Sequence, residues 1–229
     1  MRLLLLTLLL TNLLLASIGT VMAIRGSADL QRPNLTPTHL TMGTALQEGD
    51  SIATQAHSRV QVMLNDQTVV TIGSNSLFTF DRYLFDGTQD SQLAMHAKRG
   101  FFRSVSGKIG KIAPKRFSVK TTSATIGIRG TDFSAYLTKD REYYRCFAGE
   151  IRVTVGDEAQ RLLPGEIFLL QKNLGRVQSK RLLGRGFQTM RPNGVALEHD
   201  LQAIDRLIQE EELFTHPTPQ GEPCSVVVP

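Results

Sequence analysis

Five histidines, two cysteines and a few glycine-flanked polar residues are the side chains here that could do chemistry, and their spacing decides which kind. His39, His57, His96, His199 and His216 are scattered, and none stands with another His or Cys at metal-ligand spacing, so no metal site and no cofactor is expected. Gly107-Lys108 has the look of a phosphate loop, but Ile109 follows the lysine and no glycine lies five residues before Gly107. Gly73-Ser74 lacks the Gly-x-Ser-x-Gly turn of an activated serine. Asp81 and Asp86 are ordinary turn carboxylates with no acid–base signature of their own. The expectation is a protein with no catalytic residues. A hydrolase would need His57 or His96 in a polar cleft within hydrogen-bond reach of a carboxylate.

Charge offers a different chemistry. From Ser91 to Thr131 there is no acid, while Lys98, Arg99, Arg103, Lys108, Lys111, Lys115, Arg116, Lys120 and Arg129 fall in that span. A second acid-free span, Ile167 to Leu197, carries Lys172, Arg176, Lys180, Arg181, Arg185 and Arg191. Such runs attract anions or acidic surfaces, and singly each lysine is also a normal solvated strand residue. Arg129, Lys108, Lys111, Lys115 and Arg116 are the candidate binding residues. Cys146 and Cys224 either close a disulfide that pins the tail or stay as two separate thiols.

These residues must be positioned by elements, and the chain of 229 residues, 41% apolar, suffices for one sizeable domain and an appendage. Residues 1–23 read as an export signal: Arg2, then an apolar core from Leu3 to Leu15, then Val21 and Ala23 at the −3 and −1 positions of a cleavage site. The alternative is an uncleaved inner-membrane anchor, since Leu3 to Ile24 is just long enough to span a bilayer. Export makes the periplasm the expected location and nucleic acid an unexpected partner. Residues 24–39 read as an extended lead-in.

From 40 to 172 apolar residues recur with period two: Val60, Val62 and Leu64; Val70 and Ile72; Phe117, Val119 and Thr121; Ala124, Ile126 and Ile128; Phe133, Ala135 and Leu137; Ile151, Val153 and Val155. A Gly-acid pair follows a short apolar stretch at Gly49-Asp50, Gly149-Glu150 and Gly165-Glu166, where a glycine can take positive φ and its neighbour can bond turn amides. The expected fold is all-β, many short strands in stacked hairpins or solenoid-like sheets, with one C-terminal amphipathic helix. Residues 173–194 read as a basic, glycine-containing connector, 195–214 as that helix with Leu197, Leu201, Ile204 and Ile208 on one face, and 215–229 as a proline-rich tail.

One stretch is more specific. Thr121-Thr122-Ser123-Ala124-Thr125-Ile126-Gly127-Ile128-Arg129-Gly130-Thr131-Asp132-Phe133 resembles the most characteristic segment of FecR-type domains, with Gly127, Gly130, Thr131 and Phe133 as its structural motif. Leu46 to Thr54, Ser58 to Asn75 and Phe147 to Val153 resemble the family's opening turn, central hairpin and closing strand, in the right order from Leu40 to Val155. The resemblance implies a bacterial envelope domain of a sensing pathway. In the best-known relatives a cytoplasmic segment binds a sigma factor; only Met1 and Arg2 precede the apolar stretch here, so no sigma factor contact is expected. The expected partner is an envelope or membrane protein, with an anionic glycan or lipid as the alternative. At Arg129-Gly130-Thr131 the expectation is a strand crossing: Gly130 permits a bulge or close backbone approach, Thr131 bonds exposed backbone groups, and Arg129 braces the crossing or contacts an anion.

Overall fold

Val60, Val62 and Leu64 are at most 1% exposed and alternate with solvent-facing positions, so one face of this segment is buried and its strand register is fixed. The computed structural model describes residues 17–173, 176–183 and 206. The strands are β1 Gly19–Arg25, β2 Ala28–Gln31, β3 Thr38–His39, β4 Ala45–Leu46, β5 Ser51–Thr54, β6 Arg59–Leu64, β7 Val69–Ile72, β8 Leu77–Leu84 and β9 Gln92–Val105. A one-turn helix, α1 Ile109–Ile112, and a 3₁₀ turn, Pro114–Arg116, follow. Then come β10 Phe117–Lys120, β11 Thr125–Leu137, β12 Arg141–Val155, β13 Glu158–Leu162, β14 Glu166–Asn173 and β15 Arg176–Leu183.

All of these strands join one open network, with the path β15-β14-β12-β11-β10-β9-β7-β6-β1-β4 and the remaining strands branching from it. The fold is all-β, as the alternation predicts. Every pairing is antiparallel except β9 with β10, where Phe117 faces Leu93 and Lys120 faces His96. A parallel pair cannot be closed by a tight turn, and the connection between β9 and β10 is the stretch that holds α1 and the 3₁₀ turn. β9 pairs with β8 and β10 in its first half and with β7 and β11 in its second. The change of partners falls at Gly100, whose φ is +88°. The core runs through Phe78, Phe80, Phe102 and Phe133, whose rings lie 5.2–5.9 Å apart in sequence of contact. Each is at most 1% exposed, and burial of such a side chain contributes roughly 2–3 kcal/mol.

The Gly-acid pairs behave as turns in two of their three occurrences. Gly49 and Gly165 have φ of +87° and +86°. Asp50 Oδ2 accepts the Gln47 amide at 2.8 Å, and Glu166 Oε2 accepts the Leu163 amide at the same distance.

The segment boundaries shift at both ends. β1 begins at Gly19, inside the stretch read as a leader, and residues 24–39 carry the end of β1 together with β2 and β3 rather than a plain lead-in. Residues 173–194, read as a connector, contain β15, which pairs with β14 from Glu166↔Leu183 to Asn173↔Arg176. Gly175 and Gly184 bracket that strand, and its basic residues conceal an otherwise strand-like text. The chain divides into two units, residues 1–184 and 185–229, and all the described strands belong to the first. The helix predicted over 195–214 lies outside the described residues except for Arg206, so no such element is borne out; the tail at 215–229 and residues 1–16 also lie outside them. Among the described residues no helix is long and apolar enough to cross a membrane.

Candidate functional site

The connection from β9 to β10 places four of the five predicted binding residues. Ile109 and Ala113 are buried while Lys108, Lys111, Lys115 and Arg116 are exposed, so this short crossover has an apolar underside and a basic outer face. What fixes it is the turn between β6 and β7. Asp66, fully buried, accepts the Thr68 hydroxyl at 2.7 Å and the Ile109 amide at 3.1 Å, and its carbonyl accepts the Lys108 amide at 2.7 Å. A Cβ on Gly107 would stand 2.2 Å from the Asp66 carbonyl oxygen, so glycine is required for this close approach. Gly107-Lys108 is therefore the seam between a hairpin turn and a crossover. The Tyr83 hydroxyl accepts the Asp66 amide at 2.8 Å; burial first, and then the Asp66 carboxylate, push its pKa far up, so it stays a neutral phenol. Arg116 pairs with Asp90 at 3.2 Å and Lys108 lies 5.9 Å from the centre of the Phe85 ring. Lys111 and Lys115 form no ion pair with any described residue.

The fifth residue, Arg129, sits where β11 and β12 both bulge. Their register breaks between Arg129 and Asp132. Where a strand crossing was expected, two paired antiparallel strands bulge against each other, and the parts differ from expectation. Gly130 has φ of +56° and open space where a Cβ would be; the close approach belongs to Gly149, φ +74°, whose Cβ would stand 1.9 Å from the Gly130 oxygen. Thr131 joins the bulge through its backbone, its amide donating to Ser106 Oγ at 2.8 Å and its carbonyl accepting the Ser106 amide at 2.9 Å, while its own hydroxyl finds no hydrogen-bond partner. Arg129 points outward and pairs with no described residue, so it does not brace the bulge. Arg103 does: it forks onto Asp132 at 2.8 and 2.7 Å, a bidentate geometry that fixes orientation as well as charge. The guanidinium carbons of Arg103 and Arg145 lie 4.8 and 5.0 Å from the centre of the Phe147 ring. Only the charge of Arg103 was legible in sequence, since its partner is 29 residues away. Gly127 meets open space at its missing Cβ, and Phe133 is in the core.

The Thr121-Thr122 end of the same motif closes on a buried carboxylate. Glu142, with no side-chain exposure, accepts Lys172 Nζ at 2.6 Å, the Thr121 hydroxyl at 2.8 Å, and the hydroxyls of Thr122 and Tyr144. Burial by itself pushes the Glu142 pKa up; the hydrogen bonds from Lys172, Thr122, Tyr144 and Thr121 outweigh it and hold the carboxyl below its ordinary value. Burial and then Glu142 raise Tyr144 strongly. A groove of about 520 Å³ opens beside this cluster, lined by Asp81, His96, Lys98, Lys120, Thr121 and Thr122 among others. His96 Nδ1 is 2.6 Å from Asp81 Oδ1, which meets the imidazole–carboxylate condition set for a hydrolase. The two threonine hydroxyls on that groove already direct their protons to Glu142, which leaves them poor candidates for activation by His96. His57 lies in an exposed turn with φ of +57°. Among the described residues no group of His, Cys, Asp and Glu could hold a metal ion. Cys146 is a buried free thiol, pushed up to about 11 chiefly by burial, and Cys224 lies outside the described residues.

The family described as FecR protein matches residues 50–152, which include the hairpin turn at Asp66, the crossover and both bulges. Two crystal structures of a candidate anti-sigma factor from Parabacteroides distasonis ATCC 8503 are similar, at 19% and 22% identity and TM-scores of 0.46 and 0.48. Each likeness covers 58% of this chain, and the chain spans 60% of the length of those structures. The comparison with curated proteins finds no match.

Proposed function

We propose that this chain, whose residues 50–152 form a FecR domain, is an exported, non-enzymatic binding module of the bacterial envelope that recognises a protein partner in a sensing or regulatory pathway. The observation that carries the reading is the crossover. Its backbone is locked by buried Asp66 and by Gly107, while Lys111 and Lys115 project without a partner among the described residues. A rigid support under unpaired charge is what a recognition surface needs, because little ordering entropy remains to be lost on binding. The preferred partner surface is acidic, and charge of this kind speeds encounter and selects partners more than it adds affinity. A regulatory role agrees with the family match; the periplasmic setting rests on the apolar segment from Leu3 to Leu15.

The test is in-cell cross-linking and affinity capture of the full chain from its native host. One dominant envelope protein is expected, and its recovery should drop at least several-fold for a Lys111→Glu, Lys115→Glu variant. Recovery of no protein above background would remove the reading. The second reading, a charge-driven binder of anionic glycan or lipid, is favoured by the same exposed Lys108, Lys111, Lys115 and Arg116. The hydrolase reading keeps only the His96–Asp81 pair in its support.

A further inference from the structure

We infer that the export leader is cut between Ala16 and Ser17, upstream of the first strand, and not after Ala23; the inference rests on the export reading above. In sequence alone Val21-Met22-Ala23 is the better cleavage text, because Leu14, at −3 of the upstream site, is bulkier than Val21. The fold reverses that ranking. β1 lies inside the sheet between β4 and β6, with Gly19 opposite both Leu46 and Leu64 and Arg25 opposite Arg59. Ile18 and Val21 are 3% and 1% exposed and belong to the main core with Leu46, Val60, Val62 and Leu64.

The backbone is held from both sides. The Ile18 amide donates to the Leu46 carbonyl at 2.8 Å, and the Asn65 amide to the Ile18 carbonyl at 3.0 Å. The Val21 amide donates to the Thr44 carbonyl at 3.0 Å, and its carbonyl accepts the Gly43 amide at 2.8 Å. Asn65 Nδ2 even reaches the Ser17 carbonyl at 2.6 Å. A Cβ on Gly19 would stand 2.5 Å from the Met63 carbonyl oxygen, so the seat on β6 is shaped for this very segment. A cut after Ala23 would strip Ile18 and Val21 from the core and leave the amides and carbonyls that bonded them on β4 and β6 unpaired. A cut after Gly19, where Ser17 and Gly19 form another small-x-small pair, would remove Ile18 as well.

Ala16 supplies the small −1 side chain, and Ser17 is exposed. The step is a hydrolysis by the leader peptidase of the exporting cell. Water adds across the Ala16–Ser17 peptide bond, the C–N bond breaks, and a carboxylate on Ala16 and an amine on Ser17 result.

The full chain, expressed in an export-competent bacterium and fractionated, tests this by intact mass and N-terminal sequencing. The expected species is periplasmic and begins at Ser17. A start at Thr20 or Ile24 overturns the inference while export stands. An uncut chain held in the membrane overturns it too, and an uncut chain in the cytoplasm overturns the export reading with it. Two variants sharpen the result. Ala16→Asp should lower the processed fraction at least tenfold. Ala23→Thr, compatible with a strand position but poor at −1, should leave the N-terminus at Ser17; if Ala23→Thr blocks processing instead, the downstream site is the true one.

Discussion

Glu142 is the residue on which the Thr121-Thr122 turn depends most heavily. It is a buried carboxylate whose charge is matched by Lys172 and whose oxygens accept three hydroxyls. Removing one partner of such a pair leaves the other charge uncompensated, so Glu142→Ala should cost about 3 kcal/mol, read as a lower urea midpoint at neutral pH. The pH dependence has a definite sign. The folded-state pKa of Glu142 is lowered, so its contribution is fully present above the unfolded value of about 4.5 and is lost as pH falls through the folded value. Glu142→Gln, which cannot titrate, should therefore be less stable than the natural protein at pH 7 and close part of that gap in acid. A gap that stays constant from pH 7 to pH 3 would show that the carboxylate contributes nothing through its charge. The cluster was not legible in sequence: Thr121 reads as the end of an alternating strand and Thr122 as part of the family-like segment, Glu142 is one acid among many, and Lys172 belongs to a distant basic span.

At the scale of elements, the two bulges explain why β11 and β12 can each be long and still bury one face. On the core face of β11 stand Ile126 and Ile128 before the break and Phe133, Ala135 and Leu137 after it. On that of β12 stand Tyr144 and Cys146 before and Ile151 and Val153 after, while Ser134 and Tyr143 are buried on the opposite face. Even positions give way to odd ones, which period two forbids unless a residue is inserted. That change of parity is printed in the sequence, so the bulge at Gly130 was legible, as were the strands on either side. The partner of Gly130 was not, because the meeting of Gly149 with the Gly130 carbonyl is a tertiary approach that no local pattern encodes. β15 was missed for a related reason: its ladder with β14 supplies the pairing, while its composition suggests a solvated connector. The two glycines should differ on substitution. Gly130→Ala adds a methyl to open space at a positive φ and should cost about 1 kcal/mol. Gly149→Ala drives a methyl into a backbone carbonyl and should cost at least about 3 kcal/mol or prevent folding. Equal thermal midpoints for the two variants would refute the assigned geometry.

Over the whole molecule, charge is segregated by position more than by amount. The 26 basic residues exceed the 21 acidic ones only modestly, yet the span Ser91–Thr131 is acid-free. Within it Arg103 is spent on Asp132 and Arg116 shares Asp90, whereas Lys111, Lys115 and Arg129 remain uncompensated among described residues. A field from such residues is screened over about 10 Å at 0.1 M salt, so the two binding readings respond differently to ionic strength. A glycan or lipid held by charge alone should leave steeply as salt rises from about 0.05 to about 0.5 M, and vesicles of anionic lipid should bind while neutral vesicles do not. A protein interface with an apolar centre should lose on-rate over that range and keep most of its residence time. The variant that separates them carries Lys108→Glu, Lys111→Glu, Lys115→Glu and Arg116→Glu. All four side chains are exposed and the crossover backbone is held by Asp66, so its melting temperature should stay within a few degrees of the natural protein. Loss of vesicle binding at low salt with unchanged capture of the envelope partner would assign the crossover to lipid or polymer; loss of partner capture with no vesicle binding by either protein would assign it to protein recognition. Unchanged behaviour in both assays would clear the crossover of any binding role and move the search to the His96–Asp81 groove.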